Sequence, residues 1–331
     1  MIRLSILTRS SRHFQRFYSS QNAISPVQSI AGPLDSIDVD EFRARAFLPE
    51  RPLIITAPVA EGACHWIPAA NKWFTYESTS NGSQTSHTSR RILSHSYLSA
   101  FASTILPYEL TTPVDISKTN LSGESYKILP ALMPFLRDSS GNTFHRFSAP
   151  LSLFLEASSG SCPGPPSLYI AQAQLIDLPR DLQADLPTPF LVANAGKGDV
   201  YDANIWMGIP PTYTPLHKDP NSNLFVQLAS RKQVRLFRKD VGDAIFSNIR
   251  ERIGYVGSSD VIRGNEMMEG LESEYTKEAV WGEDIAGRIS EGEGLETIVG
   301  PGDALFIPKG WWHSFMSLGN DVTASVNWWF R

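Results

Sequence analysis

TPLHKDPNSNLFVQL, residues 214–228, joins a His-x-Asp triplet to a strand-like run in which the polar residues Asn223 and Gln227 have the opposite parity to Leu224, Val226 and Leu228. In an extended chain, residues of one parity face the same side. If the segment stays extended, His217, Asp219 and Asn223 share one face, and Leu224 and Val226 take the other. An isolated His-x-Asp more often marks a surface turn than a metal site, but the alternating run beside it favours a buried polar face. The segment therefore predicts a β-strand that presents two metal-ligand candidates to an interior.

A second segment, GDALFIPKGWWH at residues 302–313, supplies a third candidate, His313. Its turn residues bracket a short apolar strand pattern at 304–307 and precede another strand that begins at Trp311. Alone, a histidine beside two tryptophans is better explained as a hydrogen-bonded core residue. Together with His217 and Asp219 it completes the two-histidine, one-carboxylate set that holds one face of Fe(II) and leaves other positions open. The three residues predict a ferrous site for an oxygenase.

Short strand patterns separated by turns dominate the chain beyond residue 167, which is typical of an antiparallel sandwich or barrel. We therefore predict a mainly β fold with flanking helices. The predicted strands are Leu168–Gln174, Asp202–Ile209, Leu224–Leu228, Gln233–Phe237, Thr297–Val299, Ala304–Ile307 and Thr323–Phe330.

The chain upstream of residue 167 has mixed patterns, and we predict that residues 21–166 form a helix and strand region packing on a barrel of residues 167–331. A helix and then a strand are expected between 35 and 56, with short helices near 96–105 and 131–136. Polar or Pro/Gly-rich stretches at 78–86 and 158–166 predict loops. Residues 260–296 are rich in acidic side chains, and we interpret them as a solvated, partly helical insertion rather than a site.

Composition excludes several classes of protein. The 331 residues carry a net charge of −5, which gives no strong nucleic-acid signal. The only two cysteines, Cys64 and Cys162, cannot form a disulfide framework or a cysteine zinc site. No apolar run reaches the length of about 18 residues expected of a membrane-spanning helix. We therefore expect no membrane partner, and these patterns leave the oligomeric state open.

The N-terminus has the composition of a mitochondrial presequence. Arg3, Arg9, Arg12 and Arg16 lie among serines, and no acidic residue occurs before Asp35. We predict a presequence at residues 1–20 and a location in the mitochondrial matrix. The alternative is a disordered basic tail.

Taken together, the motifs of residues 167–331 resemble a jumonji-C domain of the cupin-like type, close in pattern to the asparaginyl hydroxylase that inhibits hypoxia-inducible factor. The resemblance implies a double-stranded β-helix, or jelly-roll, that uses Fe(II), 2-oxoglutarate and O2. It also implies that His217, Asp219 and His313 are the metal ligands and catalytic residues. The residues implied to bind or surround the co-substrate are Lys232, Thr214, Tyr169, Asn223 and Asn327.

Alternatives remain at two of these positions. Lys232 shares strand parity with core residues and needs an anion if it points inward, but a surface lysine at a strand edge would look the same in sequence. Asn327 could make a plain cross-strand hydrogen bond rather than support a metal ligand.

The expected function is an Fe(II)/2-oxoglutarate-dependent dioxygenase that hydroxylates a protein side chain, with demethylation less favoured. The alternatives are a non-catalytic jumonji-like binding module, a cupin that uses metal without 2-oxoglutarate, and an oxygenase acting on RNA or a small metabolite.

Overall fold

The computed structural model describes residues 24–57, 66–78, 89–111, 132, 144–159, 167–254, 268–282, 289–290 and 292–331. The predicted presequence, both cysteines, most of the 78–86 and 158–166 loops and all but Leu132 of the predicted 131–136 helix lie outside these ranges. Within them, no helix is long and apolar enough to cross a membrane.

Strands are the most frequent regular structure of the described residues. They are β1 (Ile24–Pro26), β2 (Gln28–Ala31), β3 (Leu53–Thr56), β4 (Phe74–Ser78), β5 (Ser89–Leu93), β6 (Ile105–Thr111), β7 (Phe144–Pro150), β8 (Ser167–Gln174), β9 (Val200–Gly208), β10 (Tyr213–Lys218), β11 (Ser222–Ala229), β12 (Arg231–Phe237), β13 (Gly294–Val299), β14 (Ala304–Ile307), β15 (Trp312–Leu318) and β16 (Thr323–Phe330).

The helices of the described residues are short, except for two in the 239–281 interval. They are α1 (Val39–Phe42), which continues as a π-helix (Arg43–Phe47), α2 (Pro68–Lys72), α3 (His95–Leu98), α4 (Leu151–Ser159), α5 (Arg180–Ala184), α6 (Phe190–Asn194), α7 (Lys239–Arg252) and α8 (Gly270–Trp281).

Two sheets build the barrel. The larger has nine strands in the order β2-β3-β14-β11-β16-β9-β8-β6-β7, and the smaller has five in the order β1-β13-β12-β15-β10. Apolar side chains from both sheets meet between them, including Phe225 and Leu305 of the larger sheet and Val234, Leu236 and Phe315 of the smaller. The predicted mainly β jelly-roll with flanking helices is confirmed.

Strand β16 shows how alternating residues place polar side chains in the interior of the barrel. Val326, Trp328 and Phe330 join a large apolar cluster with residues of the flanking helices and loops, while the alternate residues Ser325 and Asn327 are buried on the other face. A strand buried on both sides has to place its polar residues where they find partners, because an unpaired polar group in a core is costly. In β16 that polar face is the barrel interior.

The segment after His217 does not stay extended, contrary to the expectation from parity. β10 ends at Lys218 in the smaller sheet, and β11 begins at Ser222 in the larger one. Pro220 and Asn221 are residues that favour turns. Asp219 therefore sits where the chain crosses between sheets, and the amide of Gly310 donates a 3.1 Å hydrogen bond to its backbone carbonyl.

The N-terminal region, residues 21–166, and the barrel, residues 167–331, are joined more closely than expected. Strands β3 and β6 of the N-terminal region pair directly with the barrel strands β14 and β8, and β2 and β7 extend the same larger sheet by pairing with β3 and β6. The predicted helix at 96–105 is shorter, since helical structure ends at Phe101 and β6 begins at Ile105. The acidic insertion is also not merely solvated, because Glu272 and Thr276 of α8 are buried.

Candidate metal centre

Three metal-ligand candidates meet inside the barrel. His217 of β10 and His313 of β15 are paired across the strands, and their ring centroids are 4.2 Å apart. One ligand atom from each of His217, Asp219 and His313 lies within 4.8 Å of the others, and all three residues are buried. The structure thus brings together residues that are separated by almost a hundred positions in sequence.

Backbone carbonyls orient both imidazoles. His217 Nδ1 lies 2.8 Å from the carbonyl oxygen of Pro215, and His313 Nδ1 lies 3.0 Å from that of Trp311. Carbonyls only accept, so each Nδ1 carries a proton, and the neutral form of each ring has its lone pair on Nε2. The two Nε2 atoms face the Asp219 carboxylate at 3.9 and 3.5 Å. This is the tautomer that a metal ligand requires.

Two hydrogen bonds hold one oxygen of the Asp219 carboxylate. Its Oδ2 accepts from Asn223 Nδ2 at 2.9 Å and from Trp329 Nε1 at 2.8 Å. Burial by itself would raise the pKa of Asp219, but the two histidines and the two donors outweigh burial and hold that pKa below its ordinary value. The carboxylate is therefore kept ionised, with Oδ1 turned toward His217. Two imidazoles and one ionised carboxylate are a donor set that fits Fe(II).

A chain of hydrogen bonds runs from Asp219 through two side-chain amides to Trp206. Asn223 Oδ1 accepts from Asn327 Nδ2 at 3.2 Å, and Asn327 Oδ1 accepts from Trp206 Nε1 at 2.7 Å. Each amide donates toward the carboxylate, so the proton of Trp206 fixes the orientation of every member. The structure places Asn223 and Asn327 as supports of Asp219.

Lys232 points into the same interior. Its side chain is only 3% exposed, and Nζ donates to Tyr169 Oη at 3.2 Å and to Ser325 Oγ at 3.3 Å. Among the described residues no carboxylate lies within ion-pair distance of this ammonium group. Burial lowers the pKa of Lys232 to about 7. A buried amine with hydroxyl partners and no acid is suited to receive the carboxylate of a ligand.

Two hydroxyl residues complete this part of the cavity. Thr214 lines the cavity from β10, where it is paired across the strands with Phe315 of β15. Tyr169 lines it from β8, and burial, followed by the charge of Glu109, raises the pKa of its phenol. Tyr169 therefore stays protonated and can donate to an anion beside Lys232.

The cavity that contains these groups has a volume of about 1080 Å³. Beyond the metal-ligand candidates and Lys232 it is lined by Trp206, Gln172 and, from α8, Ser273 and Lys277. The acidic insertion thus contributes to the cavity wall, although its composition led us to interpret it as a solvated, partly helical insertion rather than a site. The buried face of this segment could not be predicted from the sequence, because its many acidic residues make the whole segment look solvated.

Residues 39–331 match the Cupin-like domain family. The chain belongs to that family. Several of its relatives carry jumonji names, so the predicted jumonji-C and cupin-type family of Fe(II)/2-oxoglutarate oxygenases is confirmed. Membership implies Fe(II) and 2-oxoglutarate, and the donor set described above agrees with the iron.

Several curated proteins are similar to this cupin-like chain. Lysine-specific demethylase JMJ30 of Arabidopsis thaliana is 27% identical over 293 residues, covering 88% of this chain and 53% of that protein. Lysine-specific demethylase 8 of Xenopus tropicalis is 27% identical over 163 residues, covering 49% and 32%. JmjC domain-containing protein F of Dictyostelium discoideum is 28% identical over 180 residues, covering 49% and 35%. The chain thus spans about half the length of the first of these relatives and about a third of the other two.

Sequence reasoning missed three residues of this cupin-like site. Ser325 binds Lys232, Trp329 binds Asp219, and Trp206 begins the amide chain. Ser325 and Trp329 share the parity of Asn327 in β16, so alternation alone could have placed them at the site. Trp206 had no such signal, because its role depends on the register between β9 and β16.

Proposed function

We propose that the chain is an Fe(II)/2-oxoglutarate-dependent dioxygenase that hydroxylates a side chain of a protein substrate. The observation that carries the proposal is the shared cavity: a buried ammonium group without a described acidic partner lies on the same interior as a His-Asp-His cluster. The cluster alone would suit many metal proteins. Lys232 adds the anion site that a dicarboxylate co-substrate needs.

The residues divide into two groups by role. His217, Asp219 and His313 would hold Fe(II), while Lys232, with Tyr169 and Thr214, would hold the distal carboxylate of 2-oxoglutarate. Bound iron, 2-oxoglutarate and O2 together supply the oxidation that inserts one oxygen atom into a C–H bond and yields succinate and CO2. The protein keeps Asp219 ionised, turns both Nε2 atoms toward the metal position and encloses the reaction among buried strands.

The size of the cavity and the names of the relatives support a protein side chain as the substrate. About 1080 Å³ is just above the range of about 300–1,000 Å³ typical of small-molecule sites, so an amino-acid side chain can enter beside 2-oxoglutarate. Two of the relatives are named lysine-specific demethylases. Demethylation is therefore the second candidate, and it would proceed by hydroxylation of an N-methyl group at the same site.

A succinate-release assay with mitochondrial protein extract tests the proposal. We expect succinate to form only with Fe(II), 2-oxoglutarate and extract together, and mass spectrometry to find proteins that gained one oxygen atom. Formaldehyde release with loss of a methyl group would support demethylation instead. Activity that survives protease but is lost on nuclease treatment, or that resides in the small-molecule fraction, would support RNA or a metabolite.

Two variants separate the remaining alternatives. A dioxygenase loses succinate release in both His217→Ala and Lys232→Ala. A cupin that uses metal without 2-oxoglutarate would depend on His217 alone. A binding module would take up iron and never convert 2-oxoglutarate with any substrate fraction.

We also propose that the protein works in the mitochondrial matrix, on the basis of the basic, serine-rich residues 1–34. Fusion of this segment to a fluorescent protein should direct import, and Arg3, Arg9, Arg12 and Arg16 changed together to Gln should abolish it. Cytosolic fluorescence of the unmodified fusion would refute the proposed location.

A further inference from the structure

A single atom of helix α7 accepts hydrogen bonds from both of the strands that carry the histidines. Asp243 Oδ1 accepts from Lys218 Nζ at 2.8 Å and from Trp312 Nε1 at 2.9 Å. Lys218 belongs to β10 and Trp312 to β15. One carboxylate oxygen on a helix of the inserted segment therefore bridges two adjacent strands.

The bridged residues are the sequence neighbours of the metal-ligand candidates. Lys218 follows His217, Trp312 precedes His313, and Lys218 and Trp312 are themselves paired across the strands. Successive strand residues point to opposite faces. The two histidines therefore face the cavity directly behind the Lys218 and Trp312 side chains, and a shift of either outer side chain moves a neighbouring histidine.

The contact between helix and strands is close. Lys218 Nζ lies 4.9 Å from the centre of the Trp312 ring, which is buried. A Cβ atom at Gly242, the residue before Asp243, would lie 2.1 Å from that ring. Only glycine lets α7 approach near enough for the neighbouring carboxylate to reach both donors. Burial would raise the pKa of Asp243, but the hydrogen bonds from Lys218 and Trp312 outweigh burial and lower it, so the acceptor is charged at neutral pH.

The strand that carries His217 needs such a support. β10 is the edge strand of the smaller sheet, and its pairing with β15 shifts register between Thr214 and His217. An edge strand has a neighbour on one side only, and a register irregularity locally disrupts its ladder. The distance between the two imidazoles is thus weakly fixed by β-sheet hydrogen bonding alone.

We propose that Asp243 is a positioning residue, which fixes the spacing of His217 and His313 for metal binding by holding Lys218 and Trp312 together from outside the barrel. The inference rests on the proposed metal site and adds a residue that does not touch it. Partners outside a metal's direct ligands typically change metal affinity about 10- to 100-fold when removed. We expect that range for Asp243→Ala.

The test measures metal binding by the full chain under anaerobic conditions. Co(II) reports both affinity and geometry through its visible absorption, and the melting temperature of the metal-free protein is recorded in parallel. Asp243→Ala should weaken Co(II) binding about 10- to 100-fold and shift the absorption bands. Asp243→Asn keeps a neutral acceptor oxygen and should lose less, and it serves if the alanine variant does not fold. The matched control is Asp240→Asn on the same helix, since Asp240 is 72% exposed and pairs only with Arg238 among described residues.

The outcomes separate the inference from the function on which it rests. If wild-type protein binds Co(II) and His217→Ala does not, the metal site stands. Unchanged affinity and unchanged bands in both Asp243 variants then overturn the positioning role, as does a lowered melting temperature with wild-type bands. If wild-type protein binds no metal, the proposed metal site fails and the inference fails with it.

Discussion

The ammonium group of Lys232 lies 3.2 Å from the hydroxyl of Tyr169, inside a barrel where no described carboxylate pairs with it. Three aromatic rings, those of Phe225, Phe315 and Tyr169, lie within 6 Å of Nζ. Ring faces attract a cation but do not replace its hydration. The desolvated amine therefore holds its charge weakly, and a bound anion would stabilise the charged form.

Replacing Lys232 with Met should abolish this anion site while leaving the metal site intact. Hydrogen bonds to charged groups contribute about 1.5–3 kcal/mol, so affinity for 2-oxoglutarate should fall about 10- to 100-fold. Calorimetric titration with Mn(II) present measures it, and Arg231→Met on the exposed face of β12 is the control. Retention of wild-type affinity by Lys232→Met would place the co-substrate elsewhere.

Stability without ligand should rise between about pH 7 and 10.5. Burial lowers the folded-state pKa of Lys232 to about 7, whereas the unfolded chain keeps the ordinary 10.5. In this window the unfolded state binds more protons than the folded state, so the free energy of unfolding increases with pH. Urea denaturation at pH 7 and 9.5 measures the increase. The difference should be smaller in Lys232→Met and also smaller with saturating 2-oxoglutarate, because an anionic partner restores the lysine pKa. Equal pH dependence in wild type and variant would contradict the assignment.

The interior face of β16 was accessible to sequence reasoning, whereas the contacts across strands were not. Alternation could have placed Ser325 and Trp329 on the same face as Asn327, because a strand has a period of two. The Trp206 contact required the β9–β16 register, and the bridge at Asp243 required the packing of a helix against a sheet, neither of which a local pattern contains. Strand β6 was missed for a local reason, since Pro107 lies within it and proline argues against a strand interior.

Trp329→Phe should weaken metal binding without removing a ligand. The phenyl ring preserves most of the packing, but Asp219 Oδ2 loses the donor that lies at 2.8 Å. Loss of such a partner should cost about tenfold or more in metal affinity. Competition with a chelator measures it for Mn(II), and Trp328→Phe, on the opposite face of β16, controls for loss of indole. An equal effect of both substitutions would indicate a packing defect instead.

Asp185 should matter for stability and not for the metal. It is fully buried and accepts from Trp73 Nε1 at 2.9 Å, Tyr97 Oη at 2.6 Å and Lys72 Nζ at 2.5 Å. Each buried donor left unpaired costs about 1–3 kcal/mol, so Asp185→Ala should lower the free energy of unfolding by about 2–4 kcal/mol. Urea denaturation measures the loss, and the exposed Asp181→Ala should change little. Reduced metal affinity in folded Asp185→Ala would show a coupling that these contacts do not predict.

Gly208→Ala should impair the co-substrate site selectively. Gly208 on β9 is paired with Tyr169 on β8, and a Cβ atom there would lie 2.2 Å from the Tyr169 ring and 2.6 Å from the Thr212 methyl. The added methyl must displace the ring, which carries the hydroxyl bound to Lys232. We expect weaker 2-oxoglutarate binding with nearly unchanged Co(II) affinity, since none of the metal-ligand candidates lies on β8 or β9. In a Tyr169→Phe background the further loss on adding Gly208→Ala should shrink, because the hydroxyl that the methyl would misplace is already absent. Full additivity of the two losses would show that Gly208 acts through Thr212 and not through Tyr169.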